Sequence, residues 1–257
     1  MKIISWNVNG LRVVGKKGFW EWLEKTKPEI VCLQEIKISE SQLGFDLVYP
    51  KDYFAYFNCA KKLGYAGTAV FSKKKPLGME TKIGLERFDG EGRSLRLDFA
   101  GFSLLNLYLP HGGRQKENLG YKLKAYKYLF GYLKNLLVSQ KNLILAGDFN
   151  IAHKEIDLAR PKENKNNIMF TPKERKQIDR LLALGFVDSF RKFHKEGRFY
   201  TWWPYSFGAR QRNLGWRIDY GFVSQRLAPK LKDAFILSQV PGSDHCPIGM
   251  RISFGEI

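Results

Sequence analysis

The chain is 257 residues long, 44% hydrophobic and 14% aromatic, which is enough apolar material to bury a sizeable core. Its 43 Lys and Arg against 25 Asp and Glu give a formal charge of +18, more than an enzyme of neutral small molecules needs, and point to a polyanionic partner. No basic amphipathic helix stands alone and no apolar stretch reaches membrane-spanning length, so nucleic acid is the expected partner and a membrane is not.

Met1 leads directly into a strand-like run at 2–6, which leaves no room for a signal peptide and predicts an intracellular protein. Further β-like runs follow at 30–33, 53–57, 68–71, 94–99, 102–109 and 143–146, and later at 200–203, 217–223, 234–237 and 248–252. Ser39 with Gln42 offers one helix start. Leu119, Leu123, Tyr126, Phe130, Leu133 and Leu137 recur at alternating steps that put them on one face of a long helix. Thr171-Pro172-Lys173-Glu174 supplies an N-cap, a proline at the first helical position and a capping-box glutamate. Cys32, Cys59 and Cys246 show neither paired nor zinc-type spacing, and Cys32 lies in an apolar run, as a core residue of a reducing compartment would. No linker or low-complexity tract divides the sequence, so residues 1–257 are expected to form one α/β domain, with two sheets packed face to face and helices outside.

Several apolar runs stop at a side chain able to bind a metal or move a proton. Ile3-Ile4-Ser5-Trp6 ends in Asn7, Ile30-Val31-Cys32-Leu33 in Gln34-Glu35, Leu104-Leu105-Asn106-Leu107 in Tyr108, and Leu143-Ile144-Leu145-Ala146 in Gly147-Asp148-Phe149-Asn150. Strand ends aligned in a sheet would make a polar cleft on an apolar foundation.

Each candidate also has a blander use. Glu35 suits Mg²⁺, which prefers few protein oxygens, but could simply pair with Lys37. Asp148 can accept a proton from an attacking water and Asn150 can orient or donate, yet both residue types are common in Asx turns. Asp219 interrupts a strand-like run, where a carboxylate is costly unless paired. His245 in Gly242-Ser243-Asp244-His245-Cys246-Pro247 is the natural partner, fixed in tautomer by Asp219. His153 and His194 read as structural. Trp202, Trp203, Tyr205, Phe207 and Trp216 among Arg210, Arg212 and Arg217 suit stacking or wedging against nucleic acid, although any single tryptophan could be edge-of-core packing.

Read in order, these segments resemble the exonuclease III family of abasic-site endonucleases, within the endonuclease/exonuclease/phosphatase superfamily. The motifs are Trp6-Asn7-Val8-Asn9-Gly10-Leu11-Arg12, Leu33-Gln34-Glu35-Ile36-Lys37, Gly64-Tyr65-Ala66-Gly67-Thr68-Ala69 and Tyr108-Leu109-Pro110. Gly147-Asp148-Phe149-Asn150, Trp216-Arg217-Ile218-Asp219-Tyr220 and the Gly242 to Pro247 segment continue the series, so the likeness runs from Lys2 to Ile252. So many short motifs in the family's order are specific where one alone is weak.

The resemblance implies a four-layered α/β sandwich, two packed mixed β-sheets flanked by helices. It implies Mg²⁺ as cofactor, with Mn²⁺ as substitute, and hydrolysis 5′ to abasic sites in double-stranded DNA, with 3′-5′ exonuclease or 3′-end cleaning activity. Carried over by position, Glu35 is the principal metal ligand, with Asn7 and Asp244 close by. Asp148 positions or deprotonates the water, Asn150 and Tyr108 hold the scissile phosphate, and His245, oriented by Asp219, donates to it. Trp202, Trp216 and Ile218 line a pocket for the flipped sugar, Arg114 clamps a groove, and Arg12, Lys37, Tyr65, Asn164 and Asn167 contact the backbone. A monomer at the nucleoid of a prokaryotic cytoplasm, or in a eukaryotic nucleus, is implied as well.

Three positions depart from the family pattern. His111 follows Tyr108-Leu109-Pro110 where Asn or Gln is usual, Asn9 stands where some relatives have Asp, and Trp202 replaces a common Phe. A pH-sensitive phosphate contact, a weaker second metal site and a shifted balance among lesions are the respective expectations. The rival readings are a DNA-binding module without catalysis, or a phosphodiesterase of the same fold acting on RNA. A sphingomyelinase or inositol phosphatase fits the charge and the Trp-Arg cluster poorly.

Overall fold

The computed structural model describes residues 1–48, 50–139 and 142–254. Its strands are β1 (Lys2–Asn7), β2 (Ile30–Gln34), β3 (Phe54–Asn58), β4 (Thr68–Ser72), β5 (Gly78–Glu80), β6 (Ser94–Phe99), β7 (Phe102–Tyr108), β8 (Leu143–Asp148), β9 (Phe186–Asp188), β10 (Asp219–Ser224), β11 (Leu231–Ile236) and β12 (Ile248–Ile252). The helices are α1 (Leu11–Val14), α2 (Trp20–Thr26), α3 (Phe45–Val48), α4 (Glu86–Gly90), α5 (Leu119–Ser139), α6 (Pro172–Ala183) and α7 (Ser189–Phe193).

The strands form two 6-stranded sheets, in the orders β11-β12-β1-β2-β4-β3 and β5-β6-β7-β8-β10-β9. Each sheet is mixed, because β1 runs parallel to β2 and β7 parallel to β8 while their other neighbours are antiparallel. Ile3, Ile30, Cys32 and Val70 of one sheet pack against Leu95, Leu97, Leu104, Ile144, Ala146 and Val223 of the other. The opposite faces are covered by helices: Tyr126, Leu129, Leu133, Ile178 and Leu181 lie on Leu105, Leu145 and Phe222. Leu11, Val14, Phe19 and Leu23 lie on Trp6, Val31, Leu33 and Phe71. Central strands buried on both faces need apolar residues at successive positions, which is why they read as continuous apolar runs. These layers are the expected four-layered α/β sandwich.

Register places the chemistry. Asn7 lies opposite Gln34 at the ends of β1 and β2, and Tyr108 lies opposite Asp148 at the ends of β7 and β8. Asp219, the first residue of antiparallel β10, is also opposite Asp148. The parallel pairs therefore deliver their carboxyl ends to the same rim of the sandwich.

Some expected elements differ. The run at 200–203 is not a strand; Trp202 makes isolated bridges to Trp216 and His245, and Pro204 has no N–H with which to continue a ladder. β10 begins at Asp219 rather than 217, where its pairing with β8 ends opposite Asp148. The helix start at Ser39 is a single 3-10 turn, Glu40–Gln42, in which Ser39 N–H donates to Gln42 Oε1 at 3.2 Å. The start at Thr171 is as expected: Thr171 N–H donates to Glu174 Oε2 at 3.1 Å and Glu174 N–H to Thr171 Oγ1 at 3.3 Å. Such a cap contributes about 1 kcal/mol. The buried stripe of α5 runs through Lys122, Ala125, Tyr126, Leu129, Phe130, Leu133 and Leu136, leaving Leu123 and Leu137 on its flank.

Candidate active site

β8 reaches the rim only because of Gly147. Its φ is 147°, and a Cβ there would lie 1.9 Å from Leu107 O on the neighbouring strand. Beyond it, Asp148 is buried, with Oδ1 accepting from Asn150 N–H at 2.8 Å and Oδ2 from Asn150 Nδ2 at 3.1 Å. Asn150 adopts φ 53° and its Nδ2 also donates to Leu109 O at 2.9 Å, so the amide braces the carboxylate across the β7–β8 pair.

The other sheet contributes Asn7, whose Nδ2 donates to Asp148 Oδ2 and to Glu35 Oε1, each at 2.9 Å. Asn7 thus bridges the two carboxylates as a donor. Glu35 leaves β2 at φ 51°, and Asn9 and Lys37 share the left-handed region at 48° and 52°. Strain of this kind persists where surrounding contacts over-determine a site. Lys37 Nζ is 3.0 Å from Glu35 Oε2 and also hydrogen-bonds Asn9 Oδ1. Burial opposes ionisation of Glu35, but Lys37 and hydrogen bonds from Asn7 and Tyr108 outweigh it and hold its pKa below the usual value. Burial and the nearby Glu35 charge push the Tyr108 hydroxyl well up, so it stays protonated and donates to Glu35.

Opposite lies His245, with Nδ1 2.9 Å from Asp219 Oδ2 and Nε2 3.9 Å from Asp148 Oδ2. Burial disfavours charge on His245, but Asp219, Asp148 and Asp244 overcome it and push its pKa up to about 10. The ring is an imidazolium at neutral pH, donating from Nδ1 to Asp219 and presenting Nε2–H to the cleft. Burial, then the Asp219 charge, push Asp148 up to about 8 against the opposing pull of His245 and Asn7. Donors from Asn7 and Asn150 hold the carboxylate in the cleft, where its ionised form can accept a proton.

One ligand atom each from Glu35, Asp148 and His245 lie within 4.8 Å of one another. The two carboxylates are hard oxygen donors of the kind Mg²⁺ or Mn²⁺ takes, whereas His245 spends Nδ1 on Asp219. The residues therefore fit a cation on the carboxylate side facing His245. Asp244 lies outside this group. Its Oδ1 accepts from Asn9 Nδ2 at 2.9 Å and its Oδ2 from Trp202 Nε1 at 3.0 Å, so it fixes the tryptophan beside the site.

Arg114, Asn167, Trp202 and Trp216 meet in a cleft of about 570 Å³, together with His111, Ile168 and Met169. Ile218 does not line it. Its side chain is 1% exposed, packed behind Trp216 in a cluster with Leu158, Ile168, Met169 and Phe170. Arg12 is exposed on α1 and Lys37 is engaged with Glu35. Tyr65 OH accepts from Arg93 Nη2 at 3.0 Å. Asn164 Nδ2 donates to Arg160 O at 2.9 Å, and Asn167 Nδ2 to Asn164 Oδ1 at 2.8 Å, so these amides also hold their own loop.

The tail cluster of aromatics and arginines divides in two. Arg217 is buried, with Nε 2.7 Å from Asp157 Oδ1 and Nη2 2.9 Å from Asp188 Oδ2, and does not line the cleft. Arg210 is spent on the carbonyls of Ser243, Ser238 and Val240, bracing the loop that carries His245. Trp203 is core, while Tyr205 and Phe207 are 73% and 86% exposed. His111 is half-buried, and burial with the Lys122 charge lowers its pKa.

Two supports escaped the sequence reading. Gln34 Nε2 donates to Asn106 Oδ1 at 2.7 Å, and Asn106 Nδ2 donates to Leu33 O and Ala69 O, a polar bridge between the sheets directly beneath Glu35. Asn106 in the middle of an apolar run was a legible signal for it. The other is a buried lysine, Lys122, on α5.

Comparison with known proteins agrees with this geometry. The model of the Endonuclease/Exonuclease/phosphatase family matches residues 4–245. The chain is 46% identical over 256 residues to an exodeoxyribonuclease of Bacillus subtilis, covering 98% of this chain and 100% of that protein. It is 44% identical over 256 residues to a DNA-(apurinic or apyrimidinic site) endonuclease of Dictyostelium discoideum, covering 98% of this chain and 70% of the relative. A 3′ phosphatase from Neisseria, solved bound to a product DNA hairpin, superposes with a TM-score of 0.92 at 28% identity, covering 99% of this chain and 100% of that one. Among the described residues no helix is long and apolar enough to cross a membrane. A strand-end cleft of this composition, in a chain so similar to repair nucleases along its length, places the protein in the endonuclease/exonuclease/phosphatase family, among its metal-dependent, exonuclease III-like DNA repair hydrolases.

Proposed function

We propose that residues 1–257 form one catalytic domain that hydrolyses the phosphodiester 5′ to abasic sites in double-stranded DNA. The products are a 3′-hydroxyl and a 5′-deoxyribose phosphate, with 3′-5′ exonuclease or 3′-end cleaning as a second activity and incision at other lesions as a third. The observation that carries this reading is the adjacency of the Asp148–His245–Glu35 group to the cleft of Arg114, Trp202 and Trp216, where the Trp202 and His245 ring centroids are 6.5 Å apart. Hydrolytic groups beside an aromatic recess suit a nucleotide extruded from the stack, and a nucleotide without its base extrudes at reduced cost.

Asp148 takes a proton from the attacking water as its oxygen forms a bond to phosphorus. The bond from phosphorus to the 3′ oxygen breaks in line, that oxygen takes up a proton from solvent water to become the new 3′-hydroxyl, and Asp148 returns its proton to solvent. His245 donates from Nε2 to a phosphate oxygen as charge builds there, its other nitrogen held by Asp219. Asn150 holds Asp148 in place and Tyr108 lies at the phosphate. Glu35, with Asn7 and Asp244 close by, would hold Mg²⁺, or Mn²⁺ in its stead, which would supply Lewis-acid stabilisation of the developing charge. Trp202 and Trp216 receive the sugar, backed by Ile218, and Arg114 clamps the duplex. Arg12, Lys37, Tyr65, Asn164 and Asn167 contact the phosphate backbone without reading sequence. The protein acts as a monomer wherever the genome lies, at the nucleoid of a prokaryote or in a eukaryotic nucleus.

The test is a duplex carrying one tetrahydrofuran abasic analogue against an undamaged duplex, with Mg²⁺ or with EDTA. Mg²⁺-dependent incision immediately 5′ to the analogue is expected. Equal cutting of both duplexes, or cutting that survives EDTA, would sink the proposal.

A further inference from the structure

Lys122 lies within α5, yet its side chain is fully buried, and so is Glu174, the capping-box residue of α6. Nζ donates at 2.5 Å to Glu174 Oε1, at 2.6 Å to Asn150 O and at 3.1 Å to His111 O. An ammonium has three donors, so none is left over. Two of the three serve backbone carbonyls in the segments that carry Asn150 and follow Tyr108. Glu174 spends its oxygens on Met169 N–H at 2.9 Å, Thr171 N–H at 3.1 Å and Thr171 Oγ1 at 2.7 Å, besides the lysine. One buried pair therefore ties together three stretches distant in sequence, at 108–111, 148–150 and 169–171. The first two hold hydrolytic residues, and Met169 of the third is a wall of the cleft beside Arg114 and Trp202.

Stability alone is a poor reason for such a pair. Desolvating two charges costs so much that apolar residues of similar volume often serve as well or better. The rest of the buried face of α5 is Ala, Tyr, Leu and Phe, which shows that this interface accepts apolar side chains. An ammonium does what a hydrocarbon cannot, capturing two carbonyls of left-handed or turning backbone, and Asn150 is in that conformation with φ 53°.

We infer that Lys122 and Glu174 are positioning residues that fix the Asp148–Asn150 segment relative to the wall of the Arg114–Trp202–Trp216 cleft. This rests on the reading of the site as an abasic endonuclease. Neither residue touches the reacting atoms; both act through Asn150, His111 and Met169.

The experiment compares the wild type with Lys122→Met, Glu174→Gln and the double variant Lys122→Met/Glu174→Met, following melting temperature and, separately, kcat and KM on the tetrahydrofuran duplex. The single Lys122→Met variant leaves a buried carboxylate unpaired and is expected to lose both stability and turnover. The double variant removes the unpaired charge but leaves the carbonyls of Asn150 and His111 and the N–H groups of Met169 and Thr171 without partners, so it is expected to recover part of the stability and none of the turnover, with kcat still down on the order of 10–100-fold and KM little changed. Glu174→Gln keeps an acceptor for Lys122 and is expected to lose less kcat than Lys122→Met. A stable double variant with wild-type kcat, or kcat losses that track melting temperature across all three variants, would show the pair to be purely structural and overturn the inference. Wild-type protein that fails to incise in the same assay would instead overturn the functional reading, so the two failures are told apart.

Discussion

His245 stands between two aspartates, with Nδ1 2.9 Å from Asp219 Oδ2 and Nε2 3.9 Å from Asp148 Oδ2. The asymmetry separates their roles: the closer carboxylate holds the ring, and the farther one is beyond hydrogen-bond distance of it.

A pH profile reports this arrangement. The His245 pKa is raised from 6.5 to about 10, the acidic neighbours outweighing burial, so the proton it donates is present at neutral pH and is lost as pH rises through about 10. Asp219→Asn removes the nearest of those charges. The alkaline limb of kcat is expected to move down toward the ordinary histidine range, with turnover reduced on the order of 10–100-fold. An alkaline limb that stays where the wild type has it would show that Asp219 does not set the protonation of His245.

Asp157 tests the buried frame under the tail. Burial raises its pKa, but Arg217 and Arg191 prevail and bring it from 3.8 down to about 2. A depressed carboxylate contributes stability that is present above its unfolded pKa and lost as pH falls through the folded one. Acid unfolding is therefore expected to draw on this group between about pH 4 and 2. Asp157→Asn is expected to cost about 2–4 kcal/mol at neutral pH, because it leaves the buried Arg217 with Asp188 as its remaining carboxylate and takes a charge from Arg191. A urea titration showing a loss below about 1 kcal/mol would mean that Arg217 finds other partners.

Gly147→Ala is the sharpest test of how the rim is built. With φ at 147° and a Cβ only 1.9 Å from Leu107 O, the β7–β8 pair cannot close around it. A loss of about 4 kcal/mol or more is expected in equilibrium unfolding. A variant that unfolds at the wild-type denaturant midpoint would show that the two strand ends do not need this register.

Affinity for abasic DNA is expected to fall steeply as salt rises, given a formal charge of +18 and the counterions released as phosphates are neutralised. Binding titrations across a range of salt concentrations measure the slope of log affinity against log salt. A flat line would deny the basic surface a part in binding.

The rim was legible because each central strand is a continuous apolar run that ends in a polar side chain. That pattern follows from burial on both faces and is enough to set Asn7, Glu35, Tyr108 and Asp148 apart in the bare sequence. The Asp219–His245 pair was legible for a related reason, since a carboxylate inside a strand must find a partner. Lys122 was hidden because a lysine beside a helical stripe normally points to water, and its partner Glu174 lies in a different helix. Arg217 misled for the same reason. Its place among Trp202, Trp203 and Trp216 suggested a surface for nucleic acid, whereas its charge is answered by Asp157, 60 residues earlier in the chain. Ion pairs that close over long sequence separations leave no local pattern, so the chemistry was easier to read than the scaffold that holds it.

Asp148 is the group on which the account turns, and Asp148→Asn preserves its size while removing the proton acceptor. The decisive measurement is single-turnover incision of a tetrahydrofuran duplex by this variant, alongside its binding to the same duplex. Binding close to the wild type with incision slowed about 10²–10⁴-fold is expected. Incision near the wild-type rate would contradict the account, because the water would then lose its proton without Asp148.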